Sequence, residues 1–181
     1  MLHLKNITAG NPKTAEQYKL TKKHGIEWLY SENGENWYEE QKKFSPDTIK
    51  IAYLPSGRVF AVEKDVTGID PKGMSVIELP DITVYRRIEE NGYWFYRNDK
   101  FVFDYRLKAE DERESLLAQV SVRTGEWEKD LLLGLISDED KEKLKAWRIY
   151  AKWLQAMDFS TITDKTSYRV IEWPVSPETS S

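Results

Sequence analysis

The chain has 181 residues, of which 40% are hydrophobic, 32% charged and 13% aromatic, the proportions of one ordinary globular domain or two small ones. It has no Cys and only two His, His3 and His24, which excludes a disulfide framework, a thiol nucleophile, a Cys-ligated metal and a three-His zinc centre. A formal net charge of −4 argues against a nucleic-acid binder that works through phosphate contacts.

Met1–Gly10 reads as an amphipathic segment without the apolar centre of a secretion signal. No run approaches the ~20 apolar residues of a membrane span, so the expected setting is cytoplasmic, with no membrane insertion. Met1–Gly25 carries five Lys against one Glu, whereas Lys108–Lys143 carries eleven acidic residues against six basic ones, so the two ends are expected to do different work. Lys13, Lys19, Lys22 and Lys23 read as a solvated helix face, with an anion-contacting patch as the functional alternative.

Ile26–Tyr30 is an aromatic strand, Asn33-Gly34 marks a turn, and Trp37–Phe44 reads as a strand or a short helix, with the helix preferred. Thr48–Tyr53 and Arg58–Glu63 alternate on either side of Leu-Pro-Ser-Gly and form the clearest hairpin. Met74–Leu79 is a further strand, closed by Pro80, which cannot donate to a ladder. After a turn at Asn91-Gly92, Tyr93–Tyr96 and Phe101–Phe103 make a second hairpin.

Near Leu107 the hydrophobic period becomes helical. Leu116, Val120, Trp127 and Leu131 fall on one helical stripe, which Gly125 weakens by about 1 kcal/mol and is expected to kink or break. Ser137 followed by Asp138, Glu139 and Asp140 reads as the start of a second helix, running to about Met157 with a seam of Leu144, Trp147, Ala151 and Leu154. The short connection predicts an antiparallel pair. The expected fold is therefore α+β, with a β-rich domain of hairpins over 1–106 and a C-terminal antiparallel helical hairpin over 107–181. One such hairpin cannot bury its own core, so it needs the β-rich half, another copy of itself or another protein; self-association of the free chain is expected on this ground.

No phosphate-binding loop, dinucleotide fingerprint, nucleophile elbow or zincin motif occurs. Carboxylate pairs such as Glu39-Glu40 and Glu89-Glu90 could serve an enzyme acting on polysaccharide, but adjacent acids more often line a solvated face. No catalytic residue, metal site or cofactor is expected. His3 and His24 read as structural or surface residues, with a ligand contact as the alternative. The aromatics are the functional candidates. Trp28, Tyr30, Trp37, Tyr38 and Trp94 belong to runs that alternate at strand spacing, so half of each run should face outward and, with Lys22 and Lys23, form a binding surface.

The words of the sequence carry a resemblance. Leu20–Glu40, with its Gly-Ile-Glu-Trp-Leu-Tyr and Asn-Gly-Glu-Asn-Trp-Tyr runs, is similar to the opening module of the tail-fibre assembly proteins of tailed bacteriophages, the Tfa family with Mu and lambda-type members. Phe44–Tyr53, Gly73–Ile82 and Asn91–Trp94 continue it; Glu142–Tyr150, containing Trp147 and Tyr150, resembles the family's Leu/Trp/Tyr helix, and Ile171–Pro177, containing Trp173 and Pro174, its terminal Trp-Pro signature. Asp104–Leu133 is the least similar stretch. The resemblance implies a non-enzymatic chaperone for folding and assembly of a trimeric tail fibre, binding the fibre's distal C-terminal end in the host bacterial cytoplasm. For some relatives it implies retention on the virion's fibre tip. Outward aromatics beside lysines offer the alternative of a host lipopolysaccharide-recognition subunit, with rings stacking on sugars.

Overall fold

Leu4 and Ile7 are three residues apart, a helical spacing, yet both lie in a strand, β1 (His3–Gly10). The pairing register shifts between them and Asn6 takes a positive φ of 48°, so the irregularity turns both side chains into one core. This strand replaces the amphipathic segment expected at the N-terminus. It sits in a five-stranded antiparallel sheet with β2 (Trp28–Tyr30), β3 (Thr48–Tyr53), β4 (Val59–Glu63) and β5 (Met74–Pro80), in the order β2-β1-β5-β3-β4. The computed structural model describes residues 1–180, with side chains through Glu178; Ser181, the end of the polar tail, lies outside the described residues. Two compact units result, Met1–Phe103 and a second that starts at Asp104.

In the first unit the central strands β3 and β5 are buried on both faces, so the sheet is the middle of three layers. On one face Ala52 and Val76 join Leu4, Ile7, Leu29, Trp37, Phe44, Val66 and Ile69. The cover there includes α2 (Trp37–Glu40) and the 3-10 turn Gln41–Lys43 that follows it, the short helix expected for this stretch. On the other face Ile49, Ile51, Tyr53, Ile77 and Leu79 pack with Ile88 and with the hairpin of β6 (Trp94–Arg97) and β7 (Lys100–Phe103). The tight turn of that hairpin is Asn98-Asp99, both at positive φ, which Asn and Asp tolerate better than other non-glycine residues.

Two buried charges close the end of the sheet. The Lys50 ammonium donates to the Ser45, Thr48 and Lys64 carbonyls. Opposite it on β5, the Glu78 carboxylate accepts from the Ser45 and Leu2 N–H groups and the Thr48 hydroxyl. Burial pushes the Glu78 carboxyl up, but the three donated hydrogen bonds outweigh it and hold the group below its usual range.

The second unit is built on α3 (Tyr105–Leu133) and α4 (Asp138–Gln155). Asp104 caps α3 and Ser137 caps α4. Contrary to expectation, α3 runs unbroken through Gly125, whose missing side chain would meet only open space. The glycine lowers helix propensity there, but packing along the rest of the helix keeps it continuous. Arg113 reaches the Met157 carbonyl and Arg148 lies 3.9 Å from Glu128, which fixes an antiparallel pair. Leu144, Trp147, Ala151 and Leu154 are all buried, as the seam predicts, and three of them share a cluster with Val120 of α3.

The cover that the hairpin lacked is supplied by the chain beyond α4. Phe159 and Ile162 close on Ala109 of α3, α5 (Lys165–Arg169) follows behind a capping box of Asp164 and Ser167, and Trp173 packs against both clusters of the unit. The three possible partners named from sequence did not include this segment.

Candidate partner-binding cleft

The hairpin β6–β7 does not cover the second face of the sheet completely. Between it, the start of β1 and the 82–88 turns lies an open cleft of about 550 Å³, walled by Ile77 and Leu79 of β5, by Val84, Tyr85 and Ile88, and by Trp94, Tyr96 and Phe101. Asp99, Lys100 and His3 supply its polar rim.

The hairpin is seated by a close backbone approach. The Tyr96 N–H donates to the Gly57 carbonyl at 2.7 Å, and Arg58 pairs as a bridge with Phe95 while its guanidinium donates to the Gly92 carbonyl at 2.9 Å. Gly57 has a φ of 85°, and a Cβ there would run into the Tyr96 carbonyl. Both the conformation and the space require glycine.

His3 and Tyr96 of the cleft form a ring cluster with the buried Tyr53 behind them, with centroid separations of 4.7 to 5.9 Å, and His3 Nε2 lies 2.8 Å from the Tyr53 hydroxyl. Burial, followed by the nearby Lys5 ammonium, holds the His3 imidazole below its usual value, so it is neutral at neutral pH. The Tyr96 hydroxyl donates to the Asp99 carboxylate at 3.1 Å; burial and then that carboxylate push its pKa up to about 12. It stays a protonated donor. Such a surface can hold an apolar or aromatic chain and offers a few hydrogen bonds at its edge. Among the described residues no group of three or more His, Cys, Asp or Glu could hold a metal ion, and no helix is long and apolar enough to cross a membrane.

The sequence candidates divide. Trp94 lies in this cleft, half-buried and edge-on to Phe103 at 5.4 Å. Trp28, Tyr30 and Trp37 do not face outward: all three are buried, which corrects the reading from strand alternation. The reason is a further layer, α1 (Ala15–His24), outside β2. Its Thr21 hydroxyl accepts from the Trp28 indole at 2.8 Å and its buried Gln17 accepts from the Tyr30 hydroxyl at 3.0 Å. Trp37 packs edge-on to Phe44 at 6.1 Å in the first core.

Tyr38 is partly exposed, 5.7 Å from Trp28, with its hydroxyl donating to the Glu27 carbonyl. Lys22 and Lys23 stand exposed in the last turn of α1, where they favour the negative end of the helix dipole. In the second unit Trp147 and Tyr150 are buried edge to face at 5.8 Å, while Trp173 and Pro174 are half-buried, with Trp173 at 5.6 Å from Phe159. Sequence reasoning missed Val84, Tyr85, Ile88 and Phe101 as cleft residues. For the first three the available signal was the interleaved apolar residues just beyond Pro80, where the strand pattern had ended.

Comparison with known proteins places this architecture. A family model described as the Caudovirales tail fibre assembly protein, lambda gpK, matches residues 39–178. The chain belongs to the tail fibre assembly family. Among the relatives in this family, "Tail fiber assembly protein U'" of Escherichia phage Mu is 48% identical over 168 residues, covering 90% of this chain and 95% of the relative. The protein of the same name from Escherichia phage P1 is likewise 48% identical with the same coverage. A "Probable tail fiber assembly protein" of Escherichia phage P2 is 37% identical over 184 residues, covering 98% of this chain and the whole of the relative. The family match includes β3 to β7 and both long helices, and so every cleft residue except those at the start of β1.

Proposed function

We propose that this chain is a stoichiometric chaperone for a trimeric phage tail fibre, binding the fibre's distal C-terminal end through the aromatic cleft of the first unit. The observation that carries the reading is the open cleft, in which Trp94, Tyr96, Phe101, Tyr85 and Val84 offer apolar and aromatic surface beside a neutral imidazole and a protonated phenol. A fibre tip with intertwined strands has high contact order and exposes apolar edges while it assembles, which makes it slow to fold and prone to aggregate. Covering those edges requires binding surface, and the sequence contains no nucleotide-binding loop to drive remodelling. Binding alone stabilises the assembly-competent end by mass action. The setting is the host cytoplasm during assembly.

Co-expression with the tail fibre protein of the same phage tests this. A soluble trimeric fibre is expected with the chain and aggregate without it; a fibre that trimerises equally well alone would sink the reading. Retention on the virion is checked by mass spectrometry of purified particles.

A second reading rests on the mixture of rings and hydrogen-bonding groups in the same cleft, which suits stacking on host lipopolysaccharide sugars. Sedimentation with purified lipopolysaccharide, lost on Trp94→Ala, is the expected sign; no wild-type binding would remove it.

A further inference from the structure

Outside the cleft, the tip of the α3–α4 hairpin carries a cluster of exposed leucines. Leu131, Leu132, Leu133 and Leu135 are consecutive but for Gly134, and they are 44%, 87%, 71% and 71% exposed. They are not a loose end. The Leu135 N–H donates to the Asp130 carbonyl at 2.7 Å and the Gly134 N–H to that of Leu131 at 3.2 Å, with Gly134 left-handed at a φ of 71°, and the Ser137 cap of α4 follows at once. This double hydrogen bond normally comes with an apolar contact between the residue after the glycine and the residues at the start of the last helical turn. Here those positions are Asp130 and Lys129, so Leu135 lacks that usual apolar contact. A rigid turn that holds four leucines in water is preorganised for a partner.

The charges around the tip narrow what that partner is. Glu128, Asp130, Asp138, Glu139 and Asp140 stand against Lys129 and Lys141 in the tip and its two flanking turns. Glu128 is 3.9 Å from Arg148, and Glu139 and Asp140 share Lys143, which leaves Asp130 and Asp138 as the uncompensated pair among the described salt bridges. Two copies meeting tip to tip would bring these acidic rims together. A tip that met the lysines of α1 on another copy would close into a two-fold pair or a ring, or grow into open chains, and the sedimentation of the free chain would report any of these. An anionic membrane surface would repel the rim.

We infer that the leucine tip, Leu131, Leu132, Leu133 and Leu135 inside its acidic rim, is a second grip on the tail fibre, docking on an apolar fibre patch rimmed by lysine or arginine. The inference rests on the chaperone reading and adds a surface and a partner chemistry to it. Two grips on two units make the second contact intramolecular, so the fibre is held more tightly than either surface would hold it alone.

The test uses the full-length chain and the tail fibre of the same phage in a co-purification and affinity measurement. Leu132→Ser with Leu135→Ser should lower fibre affinity at least tenfold with an unchanged circular dichroism spectrum and unchanged sedimentation of the free chain. Asp130→Lys with Asp138→Asn, which leaves every leucine in place, should weaken binding and flatten its salt dependence. If wild type binds the fibre and both variants bind within twofold of it, the tip proposal is overturned while the chaperone reading stands. If the leucine variant instead turns a free dimer into a monomer, the occupant is a second copy and the proposal fails. Selective wild-type binding to vesicles containing phosphatidylglycerol would also overturn it. A wild type that never binds the fibre removes both readings.

Discussion

In the first unit Trp28, Tyr30 and Trp37 are buried although their pattern suggested an exposed face, whereas in the second unit Leu132, Leu133 and Leu135 are exposed although leucine is ordinarily a core residue. The difference lies in layer count. The sheet is covered on both faces and at β2 by α1 as well, so each large side chain of its central strands meets another element. The helical pair is covered along its seam and at the end where the C-terminal segment returns, and among the described residues Leu132, Leu133 and Leu135 at its tip stay exposed. A residue's type sets how strongly it seeks burial; the number of layers in the fold decides whether burial is available.

The sharpest way to break that comparison is at its most buried aromatic. Trp37→Ala should destabilise the first unit by about 3–5 kcal/mol, the usual cost of emptying a Trp site in a close-packed core. Each unit has its own tryptophans, Trp28, Trp37 and Trp94 in one and Trp127, Trp147, Trp153 and Trp173 in the other, so fluorescence of single-Trp chains separates their urea transitions. A loss under about 1 kcal/mol would mean that Trp37 is not core.

Gly57→Ala acts on the cleft rather than on the core. It places a Cβ against the Tyr96 carbonyl at a positive φ, and should cost about 1–3 kcal/mol and unseat the β6–β7 hairpin. Faster amide exchange at Tyr96, whose N–H donates to the Gly57 carbonyl, is the readout. Unchanged exchange would detach the cleft from this contact.

A smaller effect is expected at Glu78. Its folded carboxyl is held below the ordinary Glu value of about 4.3, so its contribution is fully present above that pH and is lost as pH falls through the lowered value. Wild type should therefore lose stability of the first unit more steeply between pH 6 and pH 3 than Glu78→Gln, and should be the more stable of the two at pH 7. Parallel pH profiles would contradict the hydrogen-bond network described for this carboxylate.

How much of this was legible depends on which neighbours a residue meets. The β3–β4 hairpin, the β5 strand, the Ser137 cap and the α4 seam could be read from sequence because each depends on contacts that repeat locally. β1 was hidden because its bulge at Asn6 breaks the two-residue period. The burial of Trp28 and Tyr30 was hidden because it depends on Gln17 and Thr21 of a helix whose lysines suggested only a solvated face. Of the candidate binding residues only Trp94 reached the cleft, which brings strand β5 and the β6–β7 hairpin together with the turns after Pro80 and the first residues of the chain, and these meet only in the folded sheet.

The smallest expected effect is also the most discriminating. Leu132→Ser removes an aliphatic side chain that is 87% exposed, so stability of the second unit should stay within about 0.5 kcal/mol of wild type. An ordinary core leucine would cost several times more, about 2–5 kcal/mol on truncation to Ala. A thermal or urea transition that does not move, together with a loss of fibre binding, would separate function from folding at this position. A clear destabilisation would mean that the tip is already covered in solution, and the contrast between the two units would then disappear.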